Sequence, residues 1–296
     1  MARIGLIQVD NKMEGDISAR QDALIELATA CLEEGADLVF FPEAFQYVKV
    51  RRQIDDFYNK HGVITEIGDA WKARCAELAR KYHAYVVPWD YRVDGGKLYN
   101  CSYILDREGK EVGSYYKCNL TSNEIKDGIS HGMEYPVFDL DFGKVGIIIC
   151  FDNYFPESVA SLGNKGAELV LYPLYGDTLK PQWEMKLRTR AIDHSLYMAS
   201  CQLSPQWDIA YTAMVDPEGE VIEKLDAINT HCVVEIEMGK VVRTNTSACP
   251  KCGENLRQYL HKCRNYASFT SLASEGTRPW DYEDIFYKDP FPQQSK

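Results

Sequence analysis

The sequence predicts an α/β protein, because short apolar runs of strand length alternate with segments of helical periodicity along most of the chain. The strand-like runs lie at 3–9, 37–41, 84–88, 99–106, 135–139, 144–149, 167–172, 195–203 and 231–237. The helix-like segments lie at 16–34, 66–82, 155–164 and 181–194. A polar stretch at 117–133 interrupts this alternation, and the sequence DPEG at 216–219 predicts a hairpin turn.

The alternation occurs in both halves of the chain, and no low-complexity linker separates them. We therefore expect two similar βαβ-rich halves packed as a single domain over residues 1–269. The segment 270–296 contains several aromatic residues and three prolines. This composition is typical of a peripheral tail that packs on the body of the protein or on a second subunit.

Composition limits the classes of partner. A chain of 296 residues, of which 45% are hydrophobic, can bury a large core. The formal net charge of -11 argues against a nucleic-acid partner, and no apolar run approaches the ~18 residues of a membrane span. The first residues resemble a strand more than an export signal, so we expect a cytoplasmic protein with a small-molecule partner. The ten scattered cysteines suit reduced thiols better than a disulfide framework.

Three reactive side chains follow apolar segments at the points where predicted strands end. Glu43 follows the run at 37–41, Lys117 follows a short extended segment, and Cys150 follows the run at 144–149. Ligands of α/β proteins bind in the crevice outside the carboxyl ends of the strands. These three groups are therefore candidates for one pocket.

The three groups also form a chemically consistent set. A thiol needs a base to be a good nucleophile near neutral pH, and a carboxylate in a dry cleft can be that base, a role that we assign to Glu43. The ammonium group of Lys117 would offset the negative charge and stabilise an oxyanion. The backbone amide of Phe151, directly after Cys150, is a second candidate donor to the oxyanion.

At these residues the chain resembles the nitrilase superfamily of carbon–nitrogen hydrolases, whose members carry a Glu-Lys-Cys triad. The motifs are FFPEAF around Glu43, LYNCSYILDREGKEVGSYYK ending at Lys117, and FGKVGIIICFDNYFPES around Cys150. Two further stretches, QWEMKLRTRAIDHSLYMASC and VDPEGEVI, also resemble the family. The resemblance extends from about residue 3 to about residue 240.

The resemblance implies an α-β-β-α sandwich that pairs with a second copy into a four-layer homodimer or a higher homo-oligomer, with no cofactor. It also implies that Cys150 attacks an amide, carbamoyl or nitrile carbon and forms a thioester as ammonia or an amine departs. Water activated by Glu43 then hydrolyses the thioester. Many members have a second glutamate between the lysine and cysteine motifs; the matching residue here is Glu124, with Glu134 as the alternative.

The residues after the nucleophile favour amide-type bonds over nitriles. Members specialised for nitriles commonly have Trp-Glu there, whereas this chain has Phe151 and Asp152, as in the amidase and N-carbamoylase branches. We therefore expect hydrolysis of a small-molecule amide or N-carbamoyl group. A nitrilase and a non-catalytic scaffold of the same fold are the alternatives, and the intact triad counts against the scaffold.

Four further aromatic residues are candidates for the substrate pocket. Tyr47, Tyr154 and Tyr175 follow motif strands, and Trp183 opens the helix-like segment at 181–194. The alternative for Trp183 is that it packs against a neighbouring helix.

A separate group of residues resembles part of a zinc site. Cys249 and Cys252 form a C-x-x-C pair, and His261 and Cys263 follow downstream. His-x-Cys is an unusual second half for such a site, and the family needs no metal. We therefore favour unligated thiols over zinc, and zinc over a disulfide.

Chelation separates the thiol hydrolase from a metal-dependent one. We expect activity to survive a chelator and to be lost in the Cys150→Ala variant, because the nucleophile is a side chain. Hydrolysis is measured before and after chelation, and metal analysis of protein purified without added zinc is the control. Loss of activity on chelation, with recovery on adding zinc, would contradict this expectation.

Overall fold

The computed structural model describes residues 1–10, 12–47, 54–176, 180–203, 212–240, 242, 255–265 and 267–268. The chain divides into two compact units, Met1–Val242 and Arg243–Lys296. The expectation of a domain that reaches residue 269 stays a prediction, and the tail at 270–296 lies outside the described residues.

The first unit contains two β-sheets and five α-helices in the described ranges. The strands are β1 (Ala2–Gln8), β2 (Leu38–Phe40), β3 (Tyr85–Val87), β4 (Trp89–Asp94), β5 (Lys97–Leu105), β6 (Glu111–Tyr116), β7 (Val137–Leu140), β8 (Gly143–Ile147), β9 (Leu169–Leu174), β10 (Tyr197–Gln202), β11 (Thr212–Val215), β12 (Val221–Leu225) and β13 (Thr230–Ile236). The helices are α1 (Ile17–Glu33), α2 (His61–Tyr82), α3 (Ser122–Lys126), α4 (Pro156–Asn164) and α5 (Lys180–His194).

Each sheet has a parallel centre and antiparallel edges. The first sheet has the order β13-β1-β2-β3-β5-β4, with β6 also paired to β5, and the second has the order β12-β11-β10-β9-β8-β7. In the first sheet α1 and α2 connect the parallel strands β1, β2 and β3. In the second sheet α4 and α5 connect β8, β9 and β10 in the same way. The predicted repetition of βαβ-rich halves is therefore confirmed.

The residues of β9 show how the layers pack. Leu169 and Leu171 belong to the core that also contains β1 and β2, whereas Val170 and Tyr172 belong to a second core with α4 and α5. This alternation is the two-residue period of a strand that is buried on both faces. The two sheets also touch directly, since the Cys201 thiol donates to the backbone oxygen of Ile7 at 2.8 Å. The predicted α-β-β-α sandwich is confirmed.

The first unit differs from the sequence-based elements at β4, α2 and α3, and the helix of the second unit was not predicted either. Strand β4 was not predicted, and it forms a hairpin with β5. Helix α2 begins at His61, five residues before the predicted start. The short helix α3 lies inside the polar stretch, where Thr121 caps its first turn by accepting from the amide of Glu124.

In the second unit the described helix is α6 (Leu256–Cys263). Across the described ranges, no helix combines the length and the apolar character needed to cross a membrane.

The close approach of β1 to α1 gives a test of the packing. A Cβ atom at Gly5 would lie 2.8 Å from Cys31 Cβ, so we expect Gly5→Ala to lower the free energy of unfolding by about 1–3 kcal/mol. Gly62, near the start of α2, has nothing within 4 Å of its added Cβ atom, so Gly62→Ala should leave stability unchanged or slightly raised. Denaturant unfolding measures both variants, and equal losses would contradict the account.

Candidate active site

The ends of three chain segments place Glu43, Lys117 and Cys150 in one cluster. Glu43 follows β2 and is 5% exposed. Lys117 follows β6 and is 1% exposed; its backbone amide donates to Asn100 at 2.9 Å, and its backbone oxygen accepts from Gly132 at 2.9 Å. Cys150 opens a 3₁₀ helix, Cys150–Tyr154, three residues after the end of β8.

Cys150 adopts a backbone conformation that is unusual for a residue with a side chain. Its φ is 45°, in the left-handed region, where a non-glycine residue is strained. The hydroxyl of Tyr172 donates to the backbone oxygen of Cys150 at 2.9 Å and restrains the turn. The chain therefore changes direction at Cys150, between β8 and the 3₁₀ helix.

The buried carboxylate of Asp152 stabilises the same turn through hydrogen bonds. Its carboxylate accepts from the amide of Ile149 at 2.9 Å and from the hydroxyl of Tyr115 at 2.6 Å. It also accepts from the amide of Asn119 at 2.9 Å and from the side chain of that residue at 3.0 Å. Burial raises the pKa of Asp152, and these hydrogen bonds oppose the rise.

The ammonium group of Lys117 is held by two carboxylates. Its Nζ donates to Glu43 Oε1 at 3.1 Å and to Glu124 Oε1 and Oε2 at 2.9 and 3.0 Å. Burial alone would lower the pKa of Lys117, but the charges of Glu43 and Glu124 raise it above its ordinary value. Lys117 is therefore a cation held between the two carboxylates.

Glu124 is held in place by the first turn of α3. Its Oε2 accepts from the amide of Thr121 at 2.8 Å and from the hydroxyl of Thr121 at 2.9 Å. Its Oε1 accepts from Asn100 Nδ2 at 2.8 Å. Burial alone would raise the pKa of Glu124, but Lys117 and the hydrogen bonds hold it below its ordinary value.

Glu134, the alternative to Glu124, lies elsewhere. Its side chain is exposed, and its backbone oxygen accepts from the thiol of Cys118 at 3.4 Å. The structure therefore brings Glu124, and not Glu134, to Lys117.

Glu43 keeps one acceptor position for the thiol. Its Oε1 accepts from Asn100 at 2.7 Å and from Lys117 at 3.1 Å, and its Oε2 accepts from the backbone amide of Tyr175 at 2.9 Å. A carboxylate has about four lone-pair sites, so the donors among the described residues leave one of them. The described donors to Glu124, from Asn100, Lys117 and Thr121, occupy all of its sites.

The thiol of Cys150 is protonated in this arrangement. Burial, and then the charge of Glu43 and a hydrogen bond with it, raise the pKa of Cys150 well above its ordinary value, while Lys117 acts in the opposite direction. The proton therefore stays on sulfur, next to a carboxylate that can accept it.

The sequence analysis missed Asn100, which contacts both glutamates. It lies in β5 within the motif LYNCSY, and it is 2% exposed. A buried amide side chain in an otherwise apolar strand was the available signal, because buried polar groups need hydrogen-bond partners.

The candidate substrate residues have different environments. Phe151 is half-buried beside the exposed Tyr154, with ring centroids 5.1 Å apart. The amide of Phe151 lies in the first turn of the 3₁₀ helix, where N–H groups have no partner within the helix. Tyr175 reaches the cluster through its backbone amide.

Tyr47 and Trp183 are buried by packing. The hydroxyl of Tyr47 donates to Asp90 at 2.7 Å, and its ring lies 5.3 Å from that of Tyr91. Trp183 is 3% exposed and stacks on Tyr172, with ring centroids 5.3 Å apart. These contacts do not support substrate binding by either residue. Trp183 packs against a neighbouring element, as in the alternative given above, but the element is strand β9 and not a helix.

The zinc candidates are only partly described. Cys249 and Cys252 lie outside the described residues, as does the side chain of His261. Cys263 is an exposed free thiol. Within the described ranges, no group of three or more His, Cys, Asp or Glu side chains is arranged to hold a metal ion.

The protein is an α-β-β-α sandwich in which a half-buried cysteine lies beside a carboxylate and a buried ammonium group. This combination is typical of a thiol hydrolase. The chain belongs to the carbon–nitrogen hydrolase family, whose model matches residues 3–246. Membership of the nitrilase superfamily, predicted from the motifs, is thereby confirmed.

Several of the curated relatives are amidases. The chain is 26% identical over 256 residues to the omega-amidase NIT2 of Bos taurus, which covers 81% of this chain and 90% of the relative. It is 29% identical over 238 residues to the deaminated glutathione amidase of Mus musculus, with coverage of 72% and 71%.

Solved structures share the fold. An amidase from Nesterenkonia sp. superposes with a TM-score of 0.71 at 24% identity, covering 80% of this chain and 90% of that one. A glutamate-to-glutamine mutant of that amidase, with acrylamide added to its active-site cysteine, gives a TM-score of 0.70 at 24% identity, covering 80% of this chain and 93% of that one.

The two glutamates make a pH test possible. The pKa of Glu124 is lowered on folding, so its ionised form stabilises the fold above its unfolded value of about 4.3, and this contribution is lost as pH falls through the lower folded value. We therefore expect Glu124→Gln to lower the free energy of unfolding at pH 7, by an amount that shrinks below about pH 4. Glu134→Gln is the matched control and should change little at any pH. A loss for Glu124→Gln that is constant with pH would contradict the assignment.

Proposed function

We propose that this chain is an amidase that hydrolyses a small-molecule amide through a thioester on Cys150 and releases ammonia or an amine. The observation that carries the proposal is the hydrogen-bonded cluster of Glu43, Lys117 and Glu124, in which Glu43 also forms a hydrogen bond with the thiol of Cys150. The amidase relatives support the same reaction class.

The first half of the reaction transfers the acyl group to sulfur. Glu43 takes the thiol proton as the sulfur of Cys150 attacks the carbonyl carbon. The resulting oxyanion is stabilised by Lys117 and by the backbone amide of Phe151. The C–N bond then breaks, and the proton held by Glu43 passes to the departing nitrogen.

The second half returns the enzyme to its starting state. Water gives a proton to Glu43 as its oxygen attacks the thioester carbon. The C–S bond breaks, the acid product leaves, and the proton on Glu43 returns to the sulfur of Cys150. No cofactor enters either half, because one carboxylate moves every proton.

Glu124 has a different role from Glu43 in this proposal. Since its acceptor positions are filled by Lys117, Thr121 and Asn100, it has no site for another proton donor. It positions Lys117, which in turn sets the charge around the thiol.

The substrate alternative, the pairing of copies and the cellular location remain part of this proposal. An N-carbamoyl group and an amide both present a carbonyl carbon bonded to nitrogen, so an N-carbamoyl group stays an alternative substrate. Pairing of two copies is supported by exposed apolar side chains near α4 and α5, namely Tyr154, Phe155 and Met185. The cytoplasmic location stays a prediction.

Release of ammonia from a panel of small amides, ureido acids and nitriles tests the function. We expect turnover of at least one amide, with none in Cys150→Ala. Cys263→Ala is the matched control, because it removes an exposed thiol of α6 and should retain full activity. If the wild type and Cys150→Ala were indistinguishable on every compound, the proposal would fail.

The protonated state of the thiol gives a second test. Because the pKa of Cys150 is raised by burial and by Glu43, we expect it to contribute no thiolate between about pH 6 and 8. The difference in ultraviolet thiolate absorbance between wild type and Cys150→Ala measures this contribution. A full thiolate signal at pH 7 would show a stable thiolate–lysine ion pair and contradict the base role of Glu43.

A further inference from the structure

We propose that Asn100 is the positioning residue of this site: its amide group holds Glu43 and Glu124 together while Lys117 turns to the oxyanion. The inference rests on the proposed function. Asn100 Nδ2 donates one hydrogen to Glu43 Oε1 at 2.7 Å and the other to Glu124 Oε1 at 2.8 Å. One neutral side chain thus bridges the base and the glutamate that positions the lysine.

The orientation of the Asn100 amide is fixed by Trp89. The indole Nε1 of Trp89 donates to Asn100 Oδ1 at 2.7 Å. An indole N–H can only donate, so the atom that it faces must be the amide oxygen. The NH₂ group must therefore face the two carboxylates, and both side chains are buried, with Trp89 at 0% and Asn100 at 2% exposure.

The charge balance explains why a neutral donor is useful at this position. Two carboxylates share one ammonium group, so the cluster carries one excess negative charge when the thiol is protonated. A second cation would cancel the excess negative charge that attracts the thiol proton to the base. An amide donates to both carboxylates without adding charge.

The contacts of Lys117 show what Asn100 does during the reaction. The ammonium group contacts Oε1 of Glu43 and both carboxylate oxygens of Glu124. When Lys117 moves toward an oxyanion, these contacts weaken. Asn100 donates to Oε1 of each glutamate, so it keeps a hydrogen bond to the oxygen of Glu43 that Lys117 leaves.

Each glutamate keeps a second anchor when Lys117 moves. Glu43 still accepts from the amide of Tyr175, and Glu124 still accepts from Thr121. With Asn100 in place, both carboxylates therefore remain bound through both of their oxygens.

The test is the pH dependence of Cys150 alkylation by iodoacetamide in the Asn100→Leu variant, followed by peptide mass spectrometry. Alkylation depends on the thiol and its base, and it can be measured without knowing the substrate. Loss of hydrogen bonds to a charged group should slow alkylation at pH 7 by about 10- to 100-fold. It should also move the acid limb of the rate profile to higher pH, because Glu43 loses a donor that favours its ionised form.

Two further variants separate positioning from packing. Ser102 lies two residues along β5 on the same face as Asn100, and its buried hydroxyl has no hydrogen-bond partner within the described residues. Ser102→Ala should therefore match the wild type. Trp89→Phe keeps the Asn100 amide but frees its orientation, so the acid limb should move in the same direction by a smaller amount.

The outcomes are distinguishable. Rates in Asn100→Leu and Trp89→Phe that fall equally at every pH, or that do not change, would overturn the positioning role. If Asn100→Leu fails to fold, Trp89→Phe alone tests the positioning role: an acid limb moved to higher pH supports the role, and an unmoved limb overturns it. Wild-type alkylation of Cys150 that is no faster than that of the other cysteines would overturn the proposed function, and this inference with it.

Discussion

The buried ammonium group of Lys117 is the constraint on which the rest of the site depends. Removing a charge from water is costly unless partners replace its hydration, and Lys117 is 1% exposed. Glu43 and Glu124 supply that replacement, and each carboxylate then needs donors of its own. Asn100, Thr121 and the amide of Tyr175 provide them. Three chain segments that are distant in sequence are thereby fixed to one another within hydrogen-bond distances.

The same charge balance favours the protonated thiol of Cys150, the proposed nucleophile. The cluster around Lys117 is negatively charged overall, so a neutral thiol is favoured over a thiolate beside it. The strained turn at Cys150 is restrained because Tyr172 donates to the backbone oxygen of Cys150 and Asp152 accepts from the amide of Ile149. Tyr172 in turn stacks on Trp183, so the position of the thiol depends on packing between β9 and α5. The thiol is held rigidly, and its reactivity depends on the free acceptor position of Glu43.

Strand ends predicted the main reactive groups, and the family resemblance carried by the motifs implied the sandwich. The strand-ending positions of Glu43, Lys117 and Cys150 are properties of local sequence, and the repeated βαβ pattern predicted both parallel centres. Asn100 could not be assigned a partner, because Glu43 is 57 residues away in sequence and the pairing exists only after β2 and β5 join one sheet. The contribution of Tyr175 is a backbone amide, which carries no residue-specific signal. For Tyr47 and Trp183 the sequence suggested a pocket role that the packing does not support, since an aromatic residue after a motif strand is as well suited to packing as to binding.

The central claim is that Glu43, the carboxylate with a free acceptor position, is the base for Cys150. The most direct measurement compares the alkylation rate of Cys150 at pH 7 in Glu43→Gln and Glu124→Gln with that of the wild type. The account predicts a fall of about 10²- to 10⁴-fold in Glu43→Gln, the size of a general-base contribution, and a smaller fall in Glu124→Gln. A rate in Glu43→Gln equal to that of the wild type, or a larger fall in Glu124→Gln, would contradict it.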